Sequence, residues 1–349
     1  MRVVFYVSGH GFGHASRDIE LMRVMCARHA DARIVVRTAA PERLFAPIAG
    51  APVEVQPIEA DTGLAQIDSL HLDEDESARQ AARFYADFDR RVAEEAELVD
   101  RVKADVVVGD IPPLAFAAAA RAGVPSVAIG NFTWDWIYSV YPAFDRLAPG
   151  VIPAIRRAYA SATLALRLPL HGGFEPMAPV TRDIPFIARR STRDAGDTRR
   201  ALGLAADRPA VLPSFGAYGA DLPLAQIRRS DRFSLVEPVR DPPAGWLYQD
   251  LVAAADVVVS KLGCGIVSEC VANDTALLYT SRGRFIEYDV FVAEMPHVLR
   301  CRYISRQDLQ AGRWADAVEA LLAQPVPAER PRIDGAAVAA DAIINLVIG

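Results

Sequence analysis

The sequence predicts an α/β protein built from two domains, each a doubly wound parallel sheet flanked by helices. Its 349 residues exceed an average single domain. Short β-branched apolar runs alternate with alanine-rich helical stretches, the pattern of strands buried on both faces. That rhythm starts twice, interrupted around 169–190 by "PLHGGFEPMAPVTRDIPF", whose prolines and glycines read as a linker.

The elements follow in chain order. "RVVFYV" is the first strand and runs into the glycine loop "SGHGFGH"; a helix is expected over 17–29. "ARIVVRT", "ADVVVGD" and "PSVAIGN" are further strands, with a helix over 112–122 between the last two. "LDEDE", 72–76, reads as a solvated acidic loop. Beyond the linker, "AVLPSFGAYG" and "FSLVEP" are strands, "ADVVVSKLGCGIVSECVA" a strand, loop and helix, and "TALLYTSRG" another strand. The tail "DGAAVAADAIINLVIG" reads as a final helix. The expected organisation is an N-terminal domain over 1–168, a linker over 169–190, a second domain over 191–330 and a C-terminal helix, 331–349, returning to the first domain.

Composition bounds the function. A formal net charge of −6 argues against nucleic acid as the main partner, since phosphate backbones need a concentrated positive face. Four cysteines, at 26, 264, 270 and 301, show neither CxxC nor zinc spacing and read as reduced thiols of a cytoplasmic protein. No run approaches the ~20 apolar residues of a membrane span. Peripheral membrane contact stays open, and the oligomeric state is not legible.

In open parallel sheets ligands sit beyond the carboxyl ends of the strands. Loops after residues 7, 109, 213 and 259 all occupy that position. In "VVVSKLGCGIVSE", Gly263, Cys264 and Gly265 open a helix whose unpaired N–H groups suit a diphosphate, with Lys261 adding charge. Ser268 and Glu269 lie one turn inside; Glu269 could hold ribose hydroxyls or simply complement the helix dipole. Ser214, Phe215 and Gly216 of "SFGAYG" form the second glycine loop of this half. Glu287 and Asp289 could grip sugar hydroxyls or be solvated surface charges.

The opening loop holds His10, Gly11, Phe12, Gly13 and His14. A neutral His14 imidazole can take a proton from a hydroxyl near neutral pH. Such a base needs an orienting partner, and Asp110 ends another strand, although Asp before Ile-Pro-Pro is also a good helix cap. His10 is read as a loop or substrate contact. Trp134 and Trp136 lie in an aromatic stretch that could pack an acceptor ring or the interior. The loop is Gly-x-Gly-x-Gly, not the dinucleotide spacing, and no P-loop is present. No metal and no resident cofactor are expected.

These motifs resemble a known superfamily. "KLGCGIVSE" is similar to the donor-phosphate loop of the glycosyltransferase-B superfamily, including the bacterial peptidoglycan N-acetylglucosaminyltransferase. "GHGFGHASR" is similar to the first loop of those enzymes and of UDP-glycosyltransferases. "YVSGHGFGHASR", "ADVVVGDIPPLAFAAAARAGVPSVAIGNFTWDWIY", "KLGCGIVSE" and "GRWADAVE" resemble, in the same order, the N-terminal glycosyltransferase-like half of plant L-arabinokinases. The galactokinase-type loop of that family is missing, so kinase activity is not implied.

The resemblance implies a GT-B fold of two Rossmann-like domains and a nucleotide-sugar co-substrate, expected to be a UDP-sugar. It implies His14 as general base, Asp110 as its orienting carboxylate, Gly263, Cys264 and Gly265 as the phosphate loop and Glu269 on the ribose. Glu287 and Asp289 fall on the donor-sugar segment but depart from its Asp-Gln or Gln pattern. The implied activity is inverting, metal-independent transfer to an acceptor that the sequence does not identify. A nucleotide-sugar 2-epimerase and a non-catalytic nucleotide-sugar-binding module are the alternatives.

Overall fold

The computed structural model describes residues 1–349 apart from 49, 69, 217–218, 238–244, 282 and 349. The chain divides into two compact units. Residues 1–66, 72–187 and 334–349 form the first, and 67–71 with 188–333 the second.

The first unit is a seven-stranded parallel sheet. Its strands are β1 (Arg2–Val7), β2 (Arg33–Thr38), β3 (Val53–Pro57), β4 (Val106–Asp110), β5 (Ser126–Gly130), β6 (Leu164–Arg167) and β7 (Thr181–Asp183), ordered β3-β2-β1-β4-β5-β6-β7. The order reverses between β1 and β4, which makes the carboxyl end of that pair the expected ligand crevice. β4 and all but the first residue of β1 are buried, the reason both read as unbroken apolar runs. Helix α1 (Gly13–Arg28) follows β1 and turns Ala15, Ile19, Met22 and Met25 into the core.

Two expectations are corrected here. The acidic run at 72–76 is a helix start: Asp73 caps α2 (Glu74–Ala86) by accepting the Glu76 N–H at 2.9 Å, and the following acids sit at the positive end of the helix dipole. Most of the presumed linker also belongs to the first unit. Residues 175–180 form a 3₁₀ turn, and β7 extends the sheet by pairing with β6. A three-residue edge strand preceded by prolines carries no period that could announce it.

Helices α3 (Phe88–Val102) and α4 (Pro113–Ala122) cover the sheet further along; α4 opens on proline and is closed by Gly123 in the left-handed region. The C-terminal helix, Gly335–Ile348, lies on α1, with Ala336, Ala339, Ala340 and Ile343 in the same core as Ile19 and Met22. Its first residue has no room for a side chain. A Cβ on Gly335 would sit 2.1 Å from the Pro185 carbonyl oxygen, while the Gly335 N–H donates to the Phe186 carbonyl at 3.0 Å. Gly335→Ala is therefore expected to cost about 1–3 kcal/mol of stability through overpacking, read as a lowered thermal midpoint.

The second unit is a five-stranded parallel sheet of β8 (Ala210–Ser214), β9 (Ser234–Leu235), β10 (Val257–Lys261), β11 (Ala276–Thr280) and β12 (Cys301–Tyr303), ordered β12-β11-β10-β8-β9. β10 is central and hydrophobic, packed with Val211, Leu278 and Val318 into one core. The "GRWADAVE" motif serves that core: Trp314 is fully buried and its Nε1–H donates to the Leu309 carbonyl at 3.0 Å. "FSLVEP" contributes only the two-residue edge strand β9. Among the described residues no helix is long and apolar enough to cross a membrane.

Candidate active site

β1 and β4 are neighbours in register, Val7 opposite Asp110, so the loop after one and the first residue after the other emerge side by side. The Ser8 N–H donates to the Asp110 carbonyl at 2.9 Å and ties the two ends together. α1 starts five residues later, which sets His14 in its first turn, directly above the end of β4. The His14 Nδ1 lies 2.8 Å from Asp110 Oδ1, with the Phe132 ring edge-on at 5.6 Å. Asp110 is 0 % exposed and His14 7 %.

Arg17, which the sequence analysis does not single out, completes the group. It lies three residues after His14 and so on the same helical face. Its Nε and Nη2 donate to the two oxygens of Asp110, its Nη1 donates to Asn131 Oδ1 at 3.2 Å, and Nη2 is 3.0 Å from His14 Nδ1. Burial by itself would raise the Asp110 carboxyl; the Arg17 charge, then His14 and the hydrogen bonds from both, outweigh it and hold Asp110 far below the usual carboxylate range. Asp110 is thus a fixed anion set against the Nδ1 edge of the His14 ring.

A second imidazole stands on the same loop. His10 Nε2 is 3.6 Å from Asp61, and Asp61 also accepts from Ser8 Oγ at 3.1 Å and Trp134 Nε1 at 2.9 Å. Burial is the main cause that lowers the His10 imidazole below its ordinary value, which keeps it neutral at neutral pH. The His10 ring occupies the space a Cβ on Gly63 would need: that atom would lie 2.1 Å from the ring, and Gly63 has a φ of +54°. Asp61 and Gly63 sit in an irregular segment after β3 with no period or motif, so no sequence signal points to them.

The remaining residues of the loop are placed as follows. Gly11 adopts φ +79°, Phe12 lies at the start of α1 with the Arg43 guanidinium 5.9 Å from its ring centroid, and Gly13 is the first helical residue. Of the two readings for Trp134 the structure shows interior packing: it is 4 % exposed, set against Phe132 and Tyr138, and its N–H donates to Asp61. Trp136 covers the backbone of Gly172.

In the second unit β10 ends at Lys261, and Gly263 precedes the helix Cys264–Ala272. Cys264 and Gly265 are the first residues of that helix. It has no side-chain cap and no acid in its first turn, so its positive dipole end favours an anion. Gly263 is extended, with φ −175°, a conformation open to any residue, and a Cβ there would meet nothing within 4 Å. Neither strain nor packing calls for glycine at this position.

Cys264 Sγ is 3.7 Å from Ser268 Oγ. Glu269 is 4 % exposed and paired with Arg189, whose Nε and Nη2 both converge on Oε1, the former at 2.7 Å. Arg189 escaped the sequence analysis because it lies in the stretch read as linker. Ser214 ends β8, and its hydroxyl bonds that of Tyr248; Phe215 is buried in the core, and Gly216 has φ +66°. Of the "SFGAYG" turn, Ala217 and Tyr218 lie outside the described residues. Glu287 and Asp289 belong to the first turn of the helix Glu287–Glu294, where acids complement the dipole; Glu287 is buried and Asp289 exposed. Among the described residues no group of three or more His, Cys, Asp and Glu is arranged to hold a metal ion.

No protein-family model matches the sequence. An L-arabinokinase from Arabidopsis thaliana is 30% identical over 363 aligned positions, which cover 99% of this chain and 34% of that protein. A UDP-N-acetylglucosamine–N-acetylmuramyl-(pentapeptide) pyrophosphoryl-undecaprenol N-acetylglucosamine transferase from Clavibacter michiganensis is 30% identical over 223 positions, 57% of each chain. The chain therefore spans about a third of the first relative and somewhat over half of the second. Among solved structures, the glycotransferase of kitacinnamycin superposes with a TM-score of 0.63 at 18% identity, covering 99% of this chain and 98% of that one. Two parallel-sheet units in these strand orders, superposing on solved glycosyltransferases over nearly their whole length, give the chain the glycosyltransferase-B fold, and in sequence it is similar to an L-arabinokinase and to peptidoglycan N-acetylglucosamine transferases.

Proposed function

We propose that this chain is an inverting glycosyltransferase that moves a sugar from a nucleotide-sugar, a UDP-sugar in our reading, to an acceptor hydroxyl. The observation that carries the proposal is the His14–Asp110 pair, 2.8 Å apart at the carboxyl edge of the sheet, with the carboxylate buried and fixed by Arg17. In the reaction His14 Nε2 takes the hydroxyl proton while the oxygen forms its bond to the anomeric carbon. The bond from that carbon to the diphosphate breaks, and its electron pair leaves with the phosphate oxygen. Attack on the face opposite the leaving group inverts the centre.

The departing diphosphate needs donors already in place. Amides at the start of the 264–272 helix and the Lys261 ammonium would serve it, and a single preorganised donor of this kind contributes on the order of 3 kcal/mol. The open space at Gly263 supports this assignment. Glu269 would take the ribose hydroxyls, its pairing with Arg189 keeping the carboxylate aimed.

A thermal-shift panel of UDP, GDP, CMP and their sugars tests the donor site. UDP at ~100 times its dissociation constant is expected to add about 2.7 kcal/mol of stability. If none of the nucleotides moves the unfolding midpoint, the donor assignment is wrong. A second reading, a nucleotide-sugar-binding module without turnover, is favoured by one fact: the chain matches only 34% of a relative named for kinase activity. Stabilisation by UDP-sugars, with neither transfer nor hydrolysis across an acceptor panel, would select it.

A further inference from the structure

Asp18 is a buried carboxyl for which the mechanism above has no use. It follows Arg17 on α1, is 0 % exposed, and neither of its oxygens meets a donor. The charged groups that face it are Asp110 from β4 and Arg17 from its own helix. Other charges on the elements packed against α1 are engaged elsewhere: Asp341 with Arg28, Arg43 over Phe12, and the Arg2 guanidinium at the Val102 carbonyl. His14 lies four residues earlier, with His10 and Asp61 beyond it.

An ionised Asp18 would be a second carboxylate beside Asp110, sealed from water and without a hydrogen bond. Burial first, and the Asp110 charge second, push the Asp18 carboxyl well above its ordinary 3.8, with Arg17 offsetting only part of this. A protonated Asp18 removes the conflict. Its O–H becomes a donor, and the neighbouring acceptor is the Asp110 carboxylate.

We propose that Asp18 is a positioning residue, carried as the neutral acid, whose O–H donates to Asp110 and with the Arg17 fork completes the set of donors that fixes this carboxylate under His14. The centre then holds one cation, Arg17, and one anion, Asp110, and is neutral while His14 is neutral. Every lone pair of Asp110 that a misplaced ring could seek is occupied, so His14 has one orientation and one tautomer. The catalytic consequence rests on His14 being the base; the proton on Asp18 does not.

Infrared difference spectroscopy in D₂O at neutral pH tests the proton on the full chain without any substrate. The carbonyl band of a protonated carboxylic acid is expected in the wild type, absent in Asp18→Asn and shifted in Asp110→Asn; a spectrum unchanged by Asp18→Asn overturns the proposal. Stability supplies a second readout. A folded value raised above the unfolded 3.8 means that the stability Asp18 contributes is complete below that pH and is lost as pH rises towards the folded value. Asp18→Asn, which keeps the donor and removes the titration, should therefore gain thermal midpoint over wild type as pH goes from 4 to 8. A gap that stays constant over that range contradicts a neutral Asp18.

The positioning role is read from ¹⁵N shifts of the His14 ring, which should report the Nδ1–H tautomer in wild type and Asp18→Asn but a mixture in Asp18→Ala. An unmixed ring in Asp18→Ala removes the positioning role. Failure of the donor assignment would appear instead in the nucleotide panel, leaving all three of these readouts intact.

Discussion

His14→Ala is expected to bind UDP as the wild type does and to lose sugar transfer by about 10²–10⁴-fold, the usual contribution of a positioned general base. The substitution removes a ring from the mouth of the β1–β4 crevice but no charge from the buried group behind it, because Arg17 still occupies both oxygens of Asp110. The fold should survive, and thermal unfolding with and without UDP checks that it does. Measured against a panel of acceptors, the loss should fall on kcat, since in the proposed mechanism the ring takes the proton as the hydroxyl attacks. Transfer at the wild-type rate would remove His14 from the mechanism. Loss of UDP stabilisation together with transfer would show that the ring supports the donor, not the acceptor.

Asp110→Ala should instead act on stability. It strips the carboxylate from an Arg17 guanidinium whose side chain is only 6% exposed, leaving a buried cation without its anion. Breaking such a pair costs about 3–5 kcal/mol, which in a unit of this size lowers the unfolding midpoint by roughly 6–20 °C. The pair also has a signature in pH. Asp110 is held far below the unfolded carboxylate range, so its contribution is present above the unfolded value and lost as pH falls towards the folded one. The stability gap between wild type and Asp110→Ala should hence be widest near neutrality and narrow in acid. A gap that is small at neutral pH would mean that Arg17 finds another partner or water, and that the ion pair contributes little.

How far this centre could be read from the sequence depended on whether each residue was announced by its neighbours. His14 and Asp110 follow apolar runs that mark strand ends, and strand ends mark the crevice. Gly263 and Gly265 follow the same rule in the second unit. Arg17 was legible in principle, because three residues on from His14 is the same helical face. Nothing local showed that Asp18, one residue further, turns into the interior, since an acid in an amphipathic helix ordinarily faces water. Asp61 and Arg189 depended wholly on tertiary placement. At the level of the fold the central strands were legible because burial on both faces demands continuous β-branched residues. The edge strands β3, β7 and β12 are short and carry charged or polar residues, so only their pairing partners define them, and β9, read from "FSLVEP", keeps just two residues of that run.

The last helix of the described chain has a bearing on the order in which the molecule assembles. Ile343 and Ala339 seal apolar surface on α1 that belongs to the first unit. Synthesis is vectorial and domains normally mature in the order they emerge. Here the ribosome must deliver the whole 188–333 segment before residues 335–348 exist to close the earlier unit. Nascent chains halted before residue 335 should therefore leave exposed the apolar face of α1 that Ala339 and Ile343 later cover.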